Sequence, residues 1–559
     1  MASLTKKLIH GRAYYYLRET ARVGGKPKVV RTVYLGRAED MLARLEQASE
    51  PLRVESRSFG AVAVALKVAQ TLGIAEAVDR ACPNRRRPSV GTYIALAAVN
   101  RAVCARSKRA FAAWYAQTAL ARLLPLPTEA LSSQRFWEAM DRLGEESIAA
   151  AEAEIARSAL ERFALAPETL VYDTTNFATF IDTGNRRNTI ARRGHPKQGR
   201  RDLRLVGLAL ALALDGCVPL AHRAYAGDRP DASEFPEALT LLKRRLGELG
   251  LPLEELTLVY DKGNNSQHNQ ALADELSLGL VGSLVPTHYP ELLRIPRERF
   301  RELAGEPTTR AYRTTAEVYG RERTVVVSHS QRFHARQRRG LAQTLLKARR
   351  QLWELRAVVE RGRHRMDEQA LQARIAEIRK PRFLKQILVV EGDLSARRLR
   401  FRIDRDALFR LDSELFGKRL IFSDRDRWTD EQIVDAYRAQ SKAERGFRQM
   451  KHPVFAAFSP AFHWTDQKLR VHAFYSTLAL MIVHLIEREA RKAGIGDGAQ
   501  QILRALSEID EVTLVYPAAG GKQGRPRVRR RIADNLDQEQ ARLYEVLALA
   551  ELAPPERAP

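Results

Sequence analysis

Two stretches of this 559-residue chain end in the same three residues. Val171-Tyr172-Asp173 lies in ETLVYDTTNFATFI (168–181), and Val259-Tyr260-Asp261 lies in ELTLVYDKG (255–263). β-Branched and aromatic neighbours make each a candidate buried strand. A carboxylate there is costly unless it is paired or holds a cation. One strand-end aspartate is by itself a turn residue. Two, on core strands that neighbour each other, would meet at one sheet edge and form a site for a divalent cation. No His or Cys stands at a matching spacing, and an all-carboxylate set suits hard ions such as Mg²⁺ or Mn²⁺.

A third acid is expected from a helix further on. Tyr437, Gln440, Glu444, Arg448 and Lys451 fall within a sector of about 80° at roughly 100° per residue. Ile433, Ala436 and Phe447 supply the adjoining apolar face. Thr429 and Gln432 have capping-box spacing, so one helix is expected from Thr429 through YRAQSKAERGFRQMK, with Pro453 just beyond.

The elements that must position these residues follow from the pattern. RLVGLALALALDGCVPLAHRAYAG (204–227) reads as two strands turning at Asp215–Gly216. Residues 232–249 read as an amphipathic helix, SQHNQALADELSL as another, and GLVGSLVP (279–286) as a strand. The fold class is therefore multidomain α/β: a mixed sheet with helices on its faces. From about Thr287 to Trp428 the pattern changes. A hairpin about Gly320, a charged helical hairpin over 335–379 broken near Gly362, and strands within 386–404 and 417–423 read as a β-rich insertion. Upstream, residues 1–55 read as a small β element turning at Gly24–Gly25, and residues 56–165 as a helical DNA-binding region whose edges carry the basic runs NRRRP and RSKRAF. Beyond a helix from about Leu469 to Lys492, residues 496–559 form a tail whose GGKQGRPRVRRR (520–531) reads as a flexible basic segment.

Charge points to the partner. Lys and Arg number 93 against 67 Asp and Glu, a formal net charge of +26. A surplus of that size calls for an anionic partner, and a polyphosphate satisfies it with counterion release. The apolar run Phe474–Ile486 is too short to span a bilayer, so no membrane partner is expected. Cys82, Cys104 and Cys217 have no C-x-x-C spacing, and the N-terminus lacks the apolar core of a signal peptide. A cytoplasmic setting is expected.

On these residues the chain resembles the DDE transposases of bacterial insertion sequences, in the branch marked by a Tyr-x2-Arg-x3-Glu-x6-Lys signature. Tyr437, Glu444 and Lys451 fit that spacing without a gap, and Gln440 stands where the signature has Arg. YDTTNF (172–177) and YDKGNNS (260–266) resemble the segments around the family's two aspartates. Residues 194–235 resemble the stretch between them, and GRAYYYLRET…RTVYLGR (11–37) resembles the family's opening. The resemblance implies an RNase H-like core, its first part over 166–286 and its helical second part over 429–495, with an insertion domain over 287–428 between them. It implies a catalytic set of Asp173, Asp261 and Glu444 holding two Mg²⁺ or Mn²⁺ ions. Those ions would cut and join strands by in-line attack at phosphorus, with Tyr437, Gln440, Arg448 and Lys451 facing DNA. The implied partners are double-stranded DNA with terminal inverted repeats and a target DNA, bound by a homodimer in a bacterial nucleoid. A metal-dependent nuclease on the same core and a catalytically inactive DNA-binding derivative are the alternatives.

Overall fold

The computed structural model describes residues 2–23, 26–41, 51–197, 199–362, 366–516 and 527–555. The chain divides into two compact units. One comprises Met1–Val64, Lys108–Ser132 and Glu489–Pro559, the other Ala65–Ser107 and Ser133–Arg488. The first opens with strands β1 (Ala2–Ile9), β2 (Arg12–Val23) and β3 (Lys26–Gly36), an antiparallel sheet in that order, followed by β4 (Arg53–Ser58). The Gly24–Gly25 turn lies outside the described residues. Residues 60–162 are helical, from Gly60–Thr71 through Glu145–Arg162, as the three-and-four spacing predicts.

The second unit is built on one nine-stranded sheet. Its strands are β5 (Thr169–Thr179), β6 (Arg204–Ala213), β7 (Val218–Ala226), β8 (Thr257–Tyr260), β9 (Gly279–Ser283), β10 (Arg301–Leu303), β11 (Glu306–Val318), β12 (Arg321–Ser330) and β15 (Lys418–Ser423). They lie in the order β10-β11-β12-β15-β9-β8-β5-β6-β7. A separate hairpin is made by β13 (Leu388–Asp393) and β14 (Arg398–Ile403). The first strand of this unit, β5, is an interior strand, third from the β7 edge. It pairs antiparallel with β6 on one side and parallel with β8 on the other, and β8 pairs parallel with β9. Strands β5, β6, β8 and β9 are buried along nearly their whole length, which explains their near-continuous apolar text. Gly282 in β9 sits opposite Phe422 of β15. A Cβ there would meet the ring at 2.6 Å, so only glycine lets the two strands pair at this point.

Three expectations are corrected. The insertion over 287–428 is not a separate β module, because β10, β11, β12 and β15 extend the core sheet, joined to it where β15 pairs with β9. Sequence pattern reports a strand's two faces but not which edge it pairs with, so the continuity was not visible. What stands apart is a smaller core, in which the helices Gln331–Arg361 and Glu368–Arg379 bury Leu352, Val359, Leu371 and Ile375 against Leu388 and Leu399 of the β13–β14 hairpin. Between those helices, residues 363–365 lie outside the described residues.

The single helix expected after Thr429 is two, Asp430–Arg438 and Gln440–Met450, interrupted at Ala439. There the Ala439 N–H reaches both Asp435 O and Ala436 O, a tightened turn that leaves the dihedrals helical. In the tail, Arg527–Ile532 is a strand, β17, paired with β16 (Asp510–Tyr516), which in turn pairs with β4. Residues 520–526 of the expected flexible segment lie outside the described residues. The helix Asp466–Lys492 is longer than its apolar run and is long and apolar enough to cross a membrane. However, 94% of its apolar window is buried inside the protein. Its buried His472, Ser476, Thr477 and His484 mark it as a core helix.

A buried ion network fixes the helices behind the sheet. Arg245, on the helix Asp231–Glu248, is fully buried and donates to Glu152 Oε2 at 2.7 Å and to Ala149 O at 3.1 Å. Glu152, on Glu145–Arg162, also meets His222 Nδ1 of β7. Burial raises the Glu152 pKa, but His222 and Arg245 outweigh it and hold the carboxyl below its ordinary range. Glu152→Ala would remove the buried carboxylate that Arg245 and His222 share, leaving the guanidinium only Glu248 and Ala149 O. It should cost about 3–5 kcal/mol, read as a lower midpoint at unchanged slope in urea unfolding. A loss below about 1 kcal/mol would show that the network does not brace the sheet.

Candidate functional site

The two Val-Tyr-Asp segments lie side by side. Strands β5 and β8 are parallel, with Thr169 opposite Thr257, Leu170 opposite Leu258 and Val171 opposite Val259. Carried on, that register sets Asp173 beside Asp261, each in or just past the carboxyl end of its paired segment. The β8–β9 register, with Tyr260 opposite Gly282, brings Ser283 to the same line. Asp261 lies just past the carboxyl end of β8, where α/β sheets place their ligands, and Asp173 lies level with it inside β5, which runs on to Thr179 beside β6.

The third acid comes from the helix Gln440–Met450, which is pinned to β5. Lys451, at its C-cap, donates from Nζ to Thr175 Oγ1 at 2.8 Å. Its partner helix is anchored by Asp430, which is fully buried and bound by Arg301 at 2.7 Å and Arg313 at 3.2 Å. From that helix, Tyr437 donates its hydroxyl to Ser283 Oγ at 2.9 Å. Glu431 lies away from this edge and accepts the Ala304 N–H at 3.2 Å.

Asp173 is half-buried, and its pKa is pushed up to about 7. Burial is the main cause. The Thr174 N–H, at 2.8 Å, and Lys197 oppose it, while Glu444 and Asp261 reinforce it. Asp173 therefore lies within the fields of both other acids. Among the described residues, none of the three makes an ion pair, in a chain with a large cation surplus. Nor do three acid, His or Cys side chains stand close enough together to hold an ion as placed. The donor chemistry nonetheless fits a hard divalent cation. The set is all oxygen and mutually repulsive, and its third member, Glu444, is on an exposed turn of helix with side-chain freedom.

The other expected contacts separate. Arg448 is exposed on the same helix as Glu444. Gln440 is 6% exposed, at the join of the two helices, and so is not presented to a partner. Tyr437 is half-buried and burial raises its pKa. Lys451 is lowered by burial and then by Lys197, with Asp173 opposing.

Lys197 was not foreseen. Its Nζ donates to Thr174 O at 2.9 Å and meets Asp231 Oδ2 at 3.1 Å, so a loop residue places a cation beside β5. No periodicity marks a loop lysine. Ser283 was likewise missed, although it ends a third apolar strand. A cleft of about 100 Å³ opens beside Tyr437 and Ser283 and is lined also by Lys262, Arg382 and Arg419.

No family model and no curated protein matches the chain. Among solved structures, a piggyBac transposase synaptic complex with hairpin DNA is similar at a TM-score of 0.35 and 10% identity, over 81% of this chain and 82% of that one. A likeness at that level establishes neither fold nor function.

Because the Asp173 pKa is raised, its buried carboxylate opposes folding. Below about pH 4 both folded and unfolded chains hold the proton and there is no penalty. Between there and about 7 the unfolded chain gives it up first, so stability falls as pH rises, and above 7 the penalty is constant. Asp173→Asn should therefore raise the melting temperature at pH 8 in chelator, by an amount worth about 2–4 kcal/mol, and by much less at pH 4.5. An equal change at both pH values would mean that Asp173 carries no such strain.

Proposed function

We propose that this chain is a DDE-type DNA transposase with an RNase H-like core, which binds transposon ends and performs metal-dependent strand cleavage and transfer. The observation that carries the reading is Asp173 level with Asp261 by the parallel register of β5 and β8, its carboxyl within reach of the charges of Glu444 and Asp261, and no ion-pair partner for any of the three among the described residues. The interior strand β5, flanked by the antiparallel β6–β7 hairpin on one side and the parallel β8 and β9 on the other, supports the RNase H-like part. The net charge of +26 supports a polyphosphate substrate.

In this reading Asp173, Asp261 and Glu444 hold two Mg²⁺ or Mn²⁺ ions. Bound there, such ions activate the attacking oxygen and stabilise the leaving one during displacement at phosphorus. The chain's own groups do the rest. Lys197 and Lys451 stand beside β5 and offset the phosphate charge brought close to the acids. Arg448, exposed on the helix of Glu444, meets the backbone of the bound strand. Tyr437 keeps its hydroxyl on Ser283 and presents its ring to the cleft with Lys262, Arg382 and Arg419, whose charges suit a phosphate. Gln440, being buried, serves the helix join and not the DNA. Terminal inverted repeats as the recognised sequence, a homodimer as the end complex, and a bacterial cytoplasm as its setting belong to the same proposal.

The test uses a duplex bearing the terminal inverted repeat that flanks the coding sequence. Wild-type protein should nick it with Mg²⁺ or Mn²⁺ and should join the freed 3′ end to a second duplex. Glu444→Gln should reduce both steps to background while leaving end binding within about threefold, since it alters charge and not shape. Cleavage that persists in excess chelator, or at wild-type rate in Glu444→Gln, would refute the assignment.

A further inference from the structure

The sheet β1–β2–β3 has two faces of different chemistry. Paired residues of an antiparallel ladder point to one side. Lys7 opposite Tyr14, Thr5 opposite Tyr16, Ile9 opposite Arg12, and Tyr16 opposite Tyr34 therefore define one face, which also carries Arg18 opposite Thr32. The rings confirm it. Tyr16 and Tyr34 lie 5.2 Å apart between centroids, Tyr14 and Tyr34 6.2 Å, and Lys7 Nζ stands 5.4 Å over the Tyr16 ring. The opposite face carries Leu4, Leu17, Lys6, Tyr15 and Val33, and the Glu19–Arg31 pair of neighbours.

The tyrosine face has three cations, Lys7, Arg12 and Arg18, and no acid over these registers. Among the described residues none of the three cations is ion-paired, whereas Arg37, just past β3, is held by Asp40. Tyr34 is 53% exposed. The rings tilt against one another, at 52° for Tyr16 and Tyr34, and Lys7 covers one of them. Flat ring faces are thus engaged inside the sheet, and what the surface offers outward is ring edges, hydroxyls and positive charge. That combination suits the phosphates and groove edges of a duplex, which a β-sheet can enter or straddle. It suits less well the stacked bases of a single strand, which need open rings.

We propose that the face formed by Lys7, Arg12, Tyr14, Tyr16, Arg18 and Tyr34 is a docking surface for double-stranded DNA, bound mainly through its phosphates. The inference rests on the reading of this chain as a DNA-acting protein, and it assigns to the N-terminal sheet a contact separate from the carboxylate site.

The experiment is fluorescence anisotropy of the full chain on a labelled duplex of about 30 base pairs in excess chelator, so that no strand is cut, over a series of salt concentrations. Each phosphate contact contributes about −0.9 to the log–log salt slope. The triple variant Lys7→Ala, Arg12→Ala, Arg18→Ala should lose about 2–3 from that slope and bind at least tenfold more weakly at 0.1 M salt, an order-of-magnitude expectation. The control Lys6→Ala, Lys28→Ala, Arg31→Ala removes the same charge from the opposite face and should change the slope by less than about 1. Because Lys7 also covers a ring, Arg12→Ala with Arg18→Ala alone should give about two-thirds of the full change, which separates lost contacts from a disturbed sheet. Equal effects of the two triples would overturn the proposal and leave only bulk charge. A loss confined to single-stranded DNA and reproduced by Tyr34→Ala would also overturn it, in favour of stacking. Wild-type protein that binds no duplex at all would defeat the broader DNA reading, an outcome distinct from either.

Discussion

Everything at the candidate site depends on the register between β5 and β8. Parallel strands have no tight turn to fix their offset. It is set instead by the buried side chains on both faces and by the backbone bond that opens the pair, Thr257 N–H to Glu168 O. A slip of one residue would turn Asp173 or Asp261 to the other face and bury Leu258 or Leu170 against the wrong layer. The apolar text around the two aspartates thus does double work, since the burial that stabilises the strands also fixes where their charges meet. The same burial pushes the Asp173 carboxyl up to about 7, so the site is held together by packing and against its own electrostatics. Such tension between fold and site is a mark of chemistry more than of stability.

The remaining elements brace that edge. Arg245 and Glu152 tie two helices and β7 together behind the sheet. Asp430, clamped by Arg301 and Arg313, fastens the start of the helix pair to β10 and β11. Those strands come from the insertion, so the insertion positions the helix of Tyr437, which leads into the helix of Glu444. Its continuity with the core sheet gives it a mechanical role that a detached module could not have. Lys451 on Thr175 closes the arrangement from the far end of the helix.

The sequence made the strands and their acids legible because burial writes a strong pattern. The repeated Val-Tyr-Asp, the hairpin at Asp215–Gly216 and the helix Asp231–Glu248 all emerged near their expected bounds. What stayed hidden was of two kinds. Long-range pairing left no local trace, so the merging of β12 and β15 into the core sheet and the pairing of β4 with β16 were invisible. Single-residue geometry was equally unreadable. Nothing around Ala439 is a helix breaker, yet a turn there separates the helices Asp430–Arg438 and Gln440–Met450, and Gln440 is buried at the join. Lys197 reaches β5 from a loop, where neither period nor propensity indicates direction.

The central claim is that Asp173, Asp261 and Glu444 together hold divalent metal at this sheet edge. Crystals soaked in Mn²⁺ and measured for anomalous scattering test it without any assay of DNA. The account predicts anomalous peaks among these three carboxylates, with Glu444 swung toward the strand ends and oxygen–metal distances near 2.2 Å, an approximate value for such ions. Peaks absent from this edge in fully loaded crystals, or found only among other acids, would contradict it.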